Sequence, residues 1–202
     1  MTKPTDALLA DERSPLRFRA LFGRELRAST SLATAVTGIR LDTIDLTAAE
    51  LRNPPLTRLL VSEVRAARLD AEARALAWRP DAVERLARLD SWVAADRVRI
   101  RAAPLGGWSP DFSIFHDRDG PRSVLMGFHA FGHPQLMEGP TFAMYFGREE
   151  AARAAQRFDE IWARAHDVTP ALQTVLRRAR RVATPGIAGR RPRALTPLGP
   201  RV

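Results

Sequence analysis

The chain has 202 residues, 45% of them hydrophobic and 27% charged, and it contains no cysteine. That length suits one domain with a real core and is short for two, while the missing thiols exclude disulfides and thiolate metal sites. The formal charge of +9 is unevenly placed: residues 1–167 carry 24 basic and 23 acidic side chains, whereas residues 168–202 carry eight arginines and no acid.

Taken in chain order, Ser14-Pro15 reads as an N-cap with proline at the first helical position, and Leu16, Leu21, Phe22 and Leu26 continue a helix to about Ala28. Leu32 to Thr37 is β-branched and apolar enough for a buried strand closed by Gly38. Thr47-Ala-Ala-Glu50 is a capping box that opens a short helix ended by Pro54 and Pro55. Leu56 to Val61 follows as a second strand, although a short apolar run also suits a buried helix segment. The Ala- and Arg-rich stretch from Ser62 to Arg79 reads as helical. Pro80 and Asp81 start another helix, with Val83, Leu86, Leu89 and Val93 at steps of three and four.

Arg97 to Ala102 alternates polar and apolar, the period of a strand with one covered face. After the loop from Pro104 to Pro110, "WSPDFSIFHD" (108–117) places Phe112, Ile114 and Phe115 on one arm of a hairpin. Its turn is Asp117-Arg-Asp-Gly120 and its return arm runs from Ser123 to Met126. Pro140 to Gly147 holds a further strand. In the helix after it, Ala151, Ala154, Ala155, Phe158, Ile161, Trp162 and Ala165 fall within an arc of roughly 120°. A stripe of that width is a core face, so Trp162 is read as packing rather than as a ligand platform. Thr169-Pro170 caps a last helix with Leu172, Val175, Leu176 and Ala179 on one side and Arg177, Arg178, Arg180 and Arg181 on the other.

Strands alternating with helices predict an α/β fold, a mixed central β-sheet flanked by helices. The expected organisation is an N-terminal tail (1–13), an α/β domain (14–168), a C-terminal basic helix (169–183) and an Arg- and Pro-rich disordered tail (184–202). No segment approaches the roughly 20 apolar residues of a membrane span, and the first residues lack a hydrophobic signal segment, so a cytoplasmic protein is expected.

The order of elements resembles one half of the phospholipase D-like superfamily. The resemblance spans about residues 14–168 and is best from 97 to 168, where the hairpin, "VLMGFHAF" and "FDEIWARAHDV" carry it. It implies a His-x-Lys-x4-Asp motif on the first hairpin strand: one His attacks phosphorus, the His of a second copy protonates the leaving oxygen, and the lysines neutralise the phosphoryl oxygens. In the most natural register Ser109 stands for the His, Asp111 for the Lys and His116 for the Asp. No other register restores the motif, because Lys3 is the only lysine and no histidine precedes His116. A carboxylate at Asp111 would repel a phosphodiester. The family's Gly-Ser-x-Asn pattern stands here as Gly127-Phe128-His129-Ala130, and Glu138 matches the acidic residue before the next strand. The resemblance therefore implies a site without its catalytic groups, in a domain that pairs with a second copy or a related chain.

Other constellations use the same letters. Ser109, Asp111 and His116 could spell a hydrolytic triad, but an extended strand puts Ser109 and Asp111 on one face and His116 on the other or in the turn. Capping of loop backbone by Ser109 and Asp111 is the simpler reading. His129 and His133 have a metal-like spacing, yet Gly132 and Pro134 oppose a helix there, so no metal and no cofactor are expected. Trp108 is a pocket lid or a core plug, with the plug preferred. Arg177, Arg178, Arg180 and Arg181, with Arg190, Arg191 and Arg193 beyond them, could bind a polyanion, or form a solvated face. Nearly all the basic residues are arginine, which a coding preference for Arg and Ala also explains. The expected function is a non-catalytic interaction or scaffold domain. The alternatives are a phosphodiesterase or nuclease with a non-standard site, and a nucleic-acid-binding accessory protein that uses its Arg-rich C-terminus.

Overall fold

In a computed structural model of the chain, residues 9–10, 15–36, 55–62, 71, 73, 80–103, 112–127 and 141–183 are described. They form β1 (Leu9–Ala10), α1 (Pro15–Arg27), β2 (Ser31–Val36), β3 (Leu56–Val61), α2 (Pro80–Ala94), β4 (Val98–Ala102), β5 (Phe112–Asp117), β6 (Gly120–Gly127), β7 (Thr141–Phe146), α3 (Arg148–Arg164), β8 (His166–Asp167) and α4 (Thr169–Ala183). Across the sheet the order is β1-β7-β6-β5-β2-β3-β4-β8. The strands β2, β3 and β4 run parallel, and every other neighbouring pair is antiparallel. The fold is the mixed, helix-flanked α/β sheet that the sequence predicts.

The strands β2 to β6 alternate their side chains between two helical layers, and the alternation in the sequence decides which layer receives which residue. One face presents Leu32 and Val36 of β2, Leu59 and Val61 of β3, Val98 and Ile100 of β4, Phe115 of β5 and Leu125 of β6. These pack with Leu21, Phe22 and Leu26 of α1, Leu86, Leu89 and Val93 of α2, and Leu172, Leu176 and Ala179 of α4. The opposite face presents Ala33, Ala35, Leu60, Phe112, Ile114 and Val124 to Ala151, Ala155, Phe158 and Ile161 of α3. The small side chains of Ala33 and Ala35 in the central strand leave room for Phe158, which is fully buried and meets Phe112 edge to face at 6.4 Å. Burial of a phenylalanine side chain is worth about 2–3 kcal/mol.

Polar groups inside the sheet are matched across strands. Thr34 and Ser113, both fully buried, share a hydroxyl hydrogen bond of 3.0 Å. The turn between α2 and β4 uses Asp96 at φ 57°, a left-handed position that aspartate tolerates better than most side chains. Backbone bonds from Asp96 to Val93 and from Arg97 to Trp92 close that helix end, and Asp96 accepts from Arg99 Nε at 2.6 Å. The hairpin turn has Gly120 at φ +107°.

The last helix is fastened at its first residue. Thr169 Oγ1 accepts from the Ile100 amide at 2.9 Å and donates to the Ile100 carbonyl at 3.2 Å, and the Val168 amide donates to that carbonyl at 3.0 Å. A single hydroxyl thus takes the place of a strand partner at the edge of β4. The strands β1 and β8 are additions to the sequence-based expectation; two residues are too few to show a period. Ala71 and Ala73 are helical, inside the stretch expected to be so, whereas the capping box at Thr47–Glu50 lies outside the described residues.

Candidate functional site

The residues singled out in the sequence divide sharply. Trp108, Ser109 and Asp111, between β4 and β5, lie outside the described residues, as do His129, His133 and Glu138 between β6 and β7, and Arg190, Arg191 and Arg193 beyond α4. His116, Arg177, Arg178, Arg180 and Arg181 are described.

His116 sits near the far end of β5. Phe112, which follows Asp111 in the chain, starts the strand beside Ala35, and His116 pairs with Ser31 four residues later, about 13 Å along an extended chain. The strand therefore carries His116 away from the end that Ser109 and Asp111 lead into. A register shift between Phe115 and His116 sets His116 opposite Pro121 on β6. The Thr30 amide donates to the His116 carbonyl at 2.8 Å, which ties this end of the strand to the turn before β2.

The imidazole is half-buried, and its Nδ1 is buried without a hydrogen-bond partner. Burial, and after it the Arg58 guanidinium, hold its pKa below the ordinary value of 6.5, against the opposing pull of Asp159. Neutral imidazole is the favoured form at pH 7.

Arg58 belongs to a clamp between the sheet and α3. It donates to Asp159 Oδ1 at 2.6 Å, and its guanidinium carbon lies 5.1 Å from the centre of the Phe158 ring and 5.7 Å from that of Trp162. Arg101 stands over the other ring system of this group, 5.0 Å from the Trp162 centroid, and donates to the Trp162 carbonyl at 2.8 Å. Trp162 in turn stacks on Phe158 at 5.5 Å. The indole thus belongs to the core stripe, as expected, and also seats two of the chain's own cations. With their charges and rings engaged inside the chain, these groups hold α3 onto β3 and β4; they supply neither a nucleophile nor a general-base pair.

On the other face Glu25 of α1, 4% exposed, accepts from Ser123 at 2.8 Å and pairs with Arg122 of β6 and Arg24 of its own helix. The charge is matched, so the cluster ties α1 to the hairpin. Sequence reasoning missed it, although a signal was present: Glu25 lies three and four residues from Phe22 and Leu21, on the apolar side of α1.

Along α4, Arg177, Arg178, Arg180 and Arg181 are all exposed, opposite the buried Leu172, Leu176 and Ala179. Arg180 donates to Asp90 of α2 at 2.6 Å. Asp90 is 6% exposed, and its other oxygen has no hydrogen-bond partner. Among the described residues no three His, Asp or Glu side chains gather as metal ligands. No described helix is long and apolar enough to cross a membrane.

No protein-family model matches the chain, and no curated protein matches it. Among solved structures, it is similar to the archaeal chromatin protein TrmBL2, whose structure is said to show a novel mode of DNA binding. The identity is 12%, the match covers 78% of this chain and 51% of that one, and the TM-score is 0.46. The chain therefore spans about half the length of TrmBL2. It is also similar to Nuc, a phospholipase D family member from Salmonella typhimurium, at 9% identity over 74% of this chain and 89% of that one, with a TM-score of 0.44.

Proposed function

We propose that the chain is a catalytically inactive domain of the phospholipase D-like type that serves as an interaction or scaffold module, through self-association or pairing with a related chain. The observation that carries this reading is chemical: no lysine follows Lys3, and the first histidine in the chain is His116. Phosphoryl transfer of the phospholipase D type needs a nucleophilic imidazole, a second imidazole as acid, and cations on the equatorial oxygens. His116 feels the charges of Arg58 and Asp159, which belong to the clamp on α3, and pairs with Ser31 four residues beyond the start of β5.

The test is hydrolysis of bis(p-nitrophenyl) phosphate and of single- and double-stranded DNA by purified protein, beside variants with Ser109, Asp111, His116 and His129 changed to alanine. Product formation no faster than buffer alone is the expected result. Turnover by the parent chain that disappears in one of these variants would establish a hydrolase with a non-standard site and end the proposal. Light scattering after size-exclusion chromatography examines the second half of the reading; a monomer at every concentration leaves only pairing with a related chain.

A further inference from the structure

The two amphipathic helices α3 and α4 lie on opposite faces of the sheet, and each carries four arginines. On α3 the arginines are balanced by Glu149, Glu150, Asp159 and Glu160. Arg153 pairs with Glu149, Arg157 with Glu160 at 2.9 Å, and Arg148 with Asp117 at 2.8 Å, while Arg164 donates to the Glu160 carbonyl at 3.1 Å. This is how the chain builds a solvated helix face. On α4 there is no acidic residue at all.

Three ordinary explanations fall short of that contrast. A coding preference for arginine over lysine leaves the acids in place, as α3 demonstrates. Favourable interaction of cations with a helix C-terminus, worth roughly 0.3–1 kcal/mol, applies to the last turn, which holds Arg180 and Arg181 but not Arg177 and Arg178. Internal contacts engage Arg178 and Arg180, the latter through Asp90 on the neighbouring helix, and leave the contrast to Arg177 and Arg181.

We propose that the outer face of α4 binds the phosphodiester backbone of nucleic acid, with Arg177 and Arg181 as the contacting cations and Arg180 as the pin that holds the helix in place. Arg177 and Arg181 stand one turn apart, a rise of about 6 Å, close to two axial phosphate steps of about 3.4 Å on one strand of a duplex. The polyanion is a nucleic acid rather than an acidic membrane because of where the apolar stripe goes. A helix that lies in a bilayer interface buries its apolar side among the acyl chains, and here Leu172, Leu176 and Ala179 are at most 2% exposed inside the domain. The exposed positions after the first turn are Thr174, Arg177, Arg178, Arg180 and Arg181. The proposal deepens the interaction-module reading by naming its partner class.

The experiment measures fluorescence anisotropy of the full chain with a labelled short duplex and the matching single strand, from low to moderate salt. The R177Q/R181Q double variant should lower the slope of log affinity against log salt by about 2 and weaken binding about tenfold or more at low salt. R177K/R181K, which keeps the charges, should stay within about threefold of the parent. R153Q/R157Q on α3, the same loss of charge on the balanced helix, should change little. Unaltered affinity in R177Q/R181Q, an equal loss in R153Q/R157Q, or no binding of either nucleic acid overturns the proposal. So does capture by phosphatidylserine vesicles without binding to DNA. Hydrolysis of the probe would instead overturn the non-catalytic reading and leave the α4 surface standing, so the two failures are distinguishable.

Discussion

Helices α3 and α4 solve the same burial problem and then diverge. Each buries one apolar stripe, α3 against the strands and α4 largely against α2 with a smaller contact on β4, with Phe158 fully buried in one and Leu176 in the other. Their outward sides follow different rules: on α3 charges of both signs close on one another or on the strand layer, and on α4 only one sign is present. Amphipathicity therefore tells where a helix docks, and the sign balance of its outer side carries the separate information about partners.

The most severe way to break the comparison is to remove the anchors. In urea unfolding Phe158→Ala should cost about 3–5 kcal/mol and Leu176→Ala about 2–5 kcal/mol, because both side chains are fully buried. A cost below about 1 kcal/mol for Leu176→Ala would mean that α4 is an appendage, unlike α3.

The next effect down separates the two kinds of ion pair. Arg180→Ala leaves the carboxylate of Asp90, which is 6% exposed, short of a hydrogen-bond donor and should cost about 1–3 kcal/mol. Arg157→Ala breaks a pair in which both partners are half-exposed and should cost no more than about 0.5 kcal/mol. Equal costs in the same urea titrations would erase the distinction between a pin and a solvated pair.

The smallest effect concerns acid. Since the folded-state pKa of His116 is depressed, its neutral form contributes stability that is present in full above the unfolded value of about 6.5 and is lost as the pH falls through the folded value. Unfolding free energy of the parent should therefore decline more than that of His116→Gln between about pH 7.5 and pH 5.5. Parallel declines would remove His116 from the acid response of the α3 side.

The sequence was most informative where a period was long enough to read. The strand at 98–102 and the helices starting at Pro15, Pro80, Arg148 and Thr169 have local causes: alternation, a proline at the first turn, or a stripe at helical spacing. The pairs that close the structure were not legible. Arg58 with Asp159, Arg101 with Trp162 and Arg180 with Asp90 join residues 61 or more positions apart, and no local pattern marks such partners. Of the candidate site, the absent lysine and histidine could be read directly. The half-buried state of His116 and the influence of Arg58 on it needed the third dimension.

The hydroxyl of Thr169 has one more effect. An outer strand with open amides and carbonyls is a template for foreign strands and so a route to aggregation. At β4 the groups of Ile100 are occupied by Val168 and Thr169, and β8 covers Arg101 and Ala102. An invading peptide would first have to evict the start of α4, so the same residue that begins the helix also shields this margin of the sheet against runaway stacking.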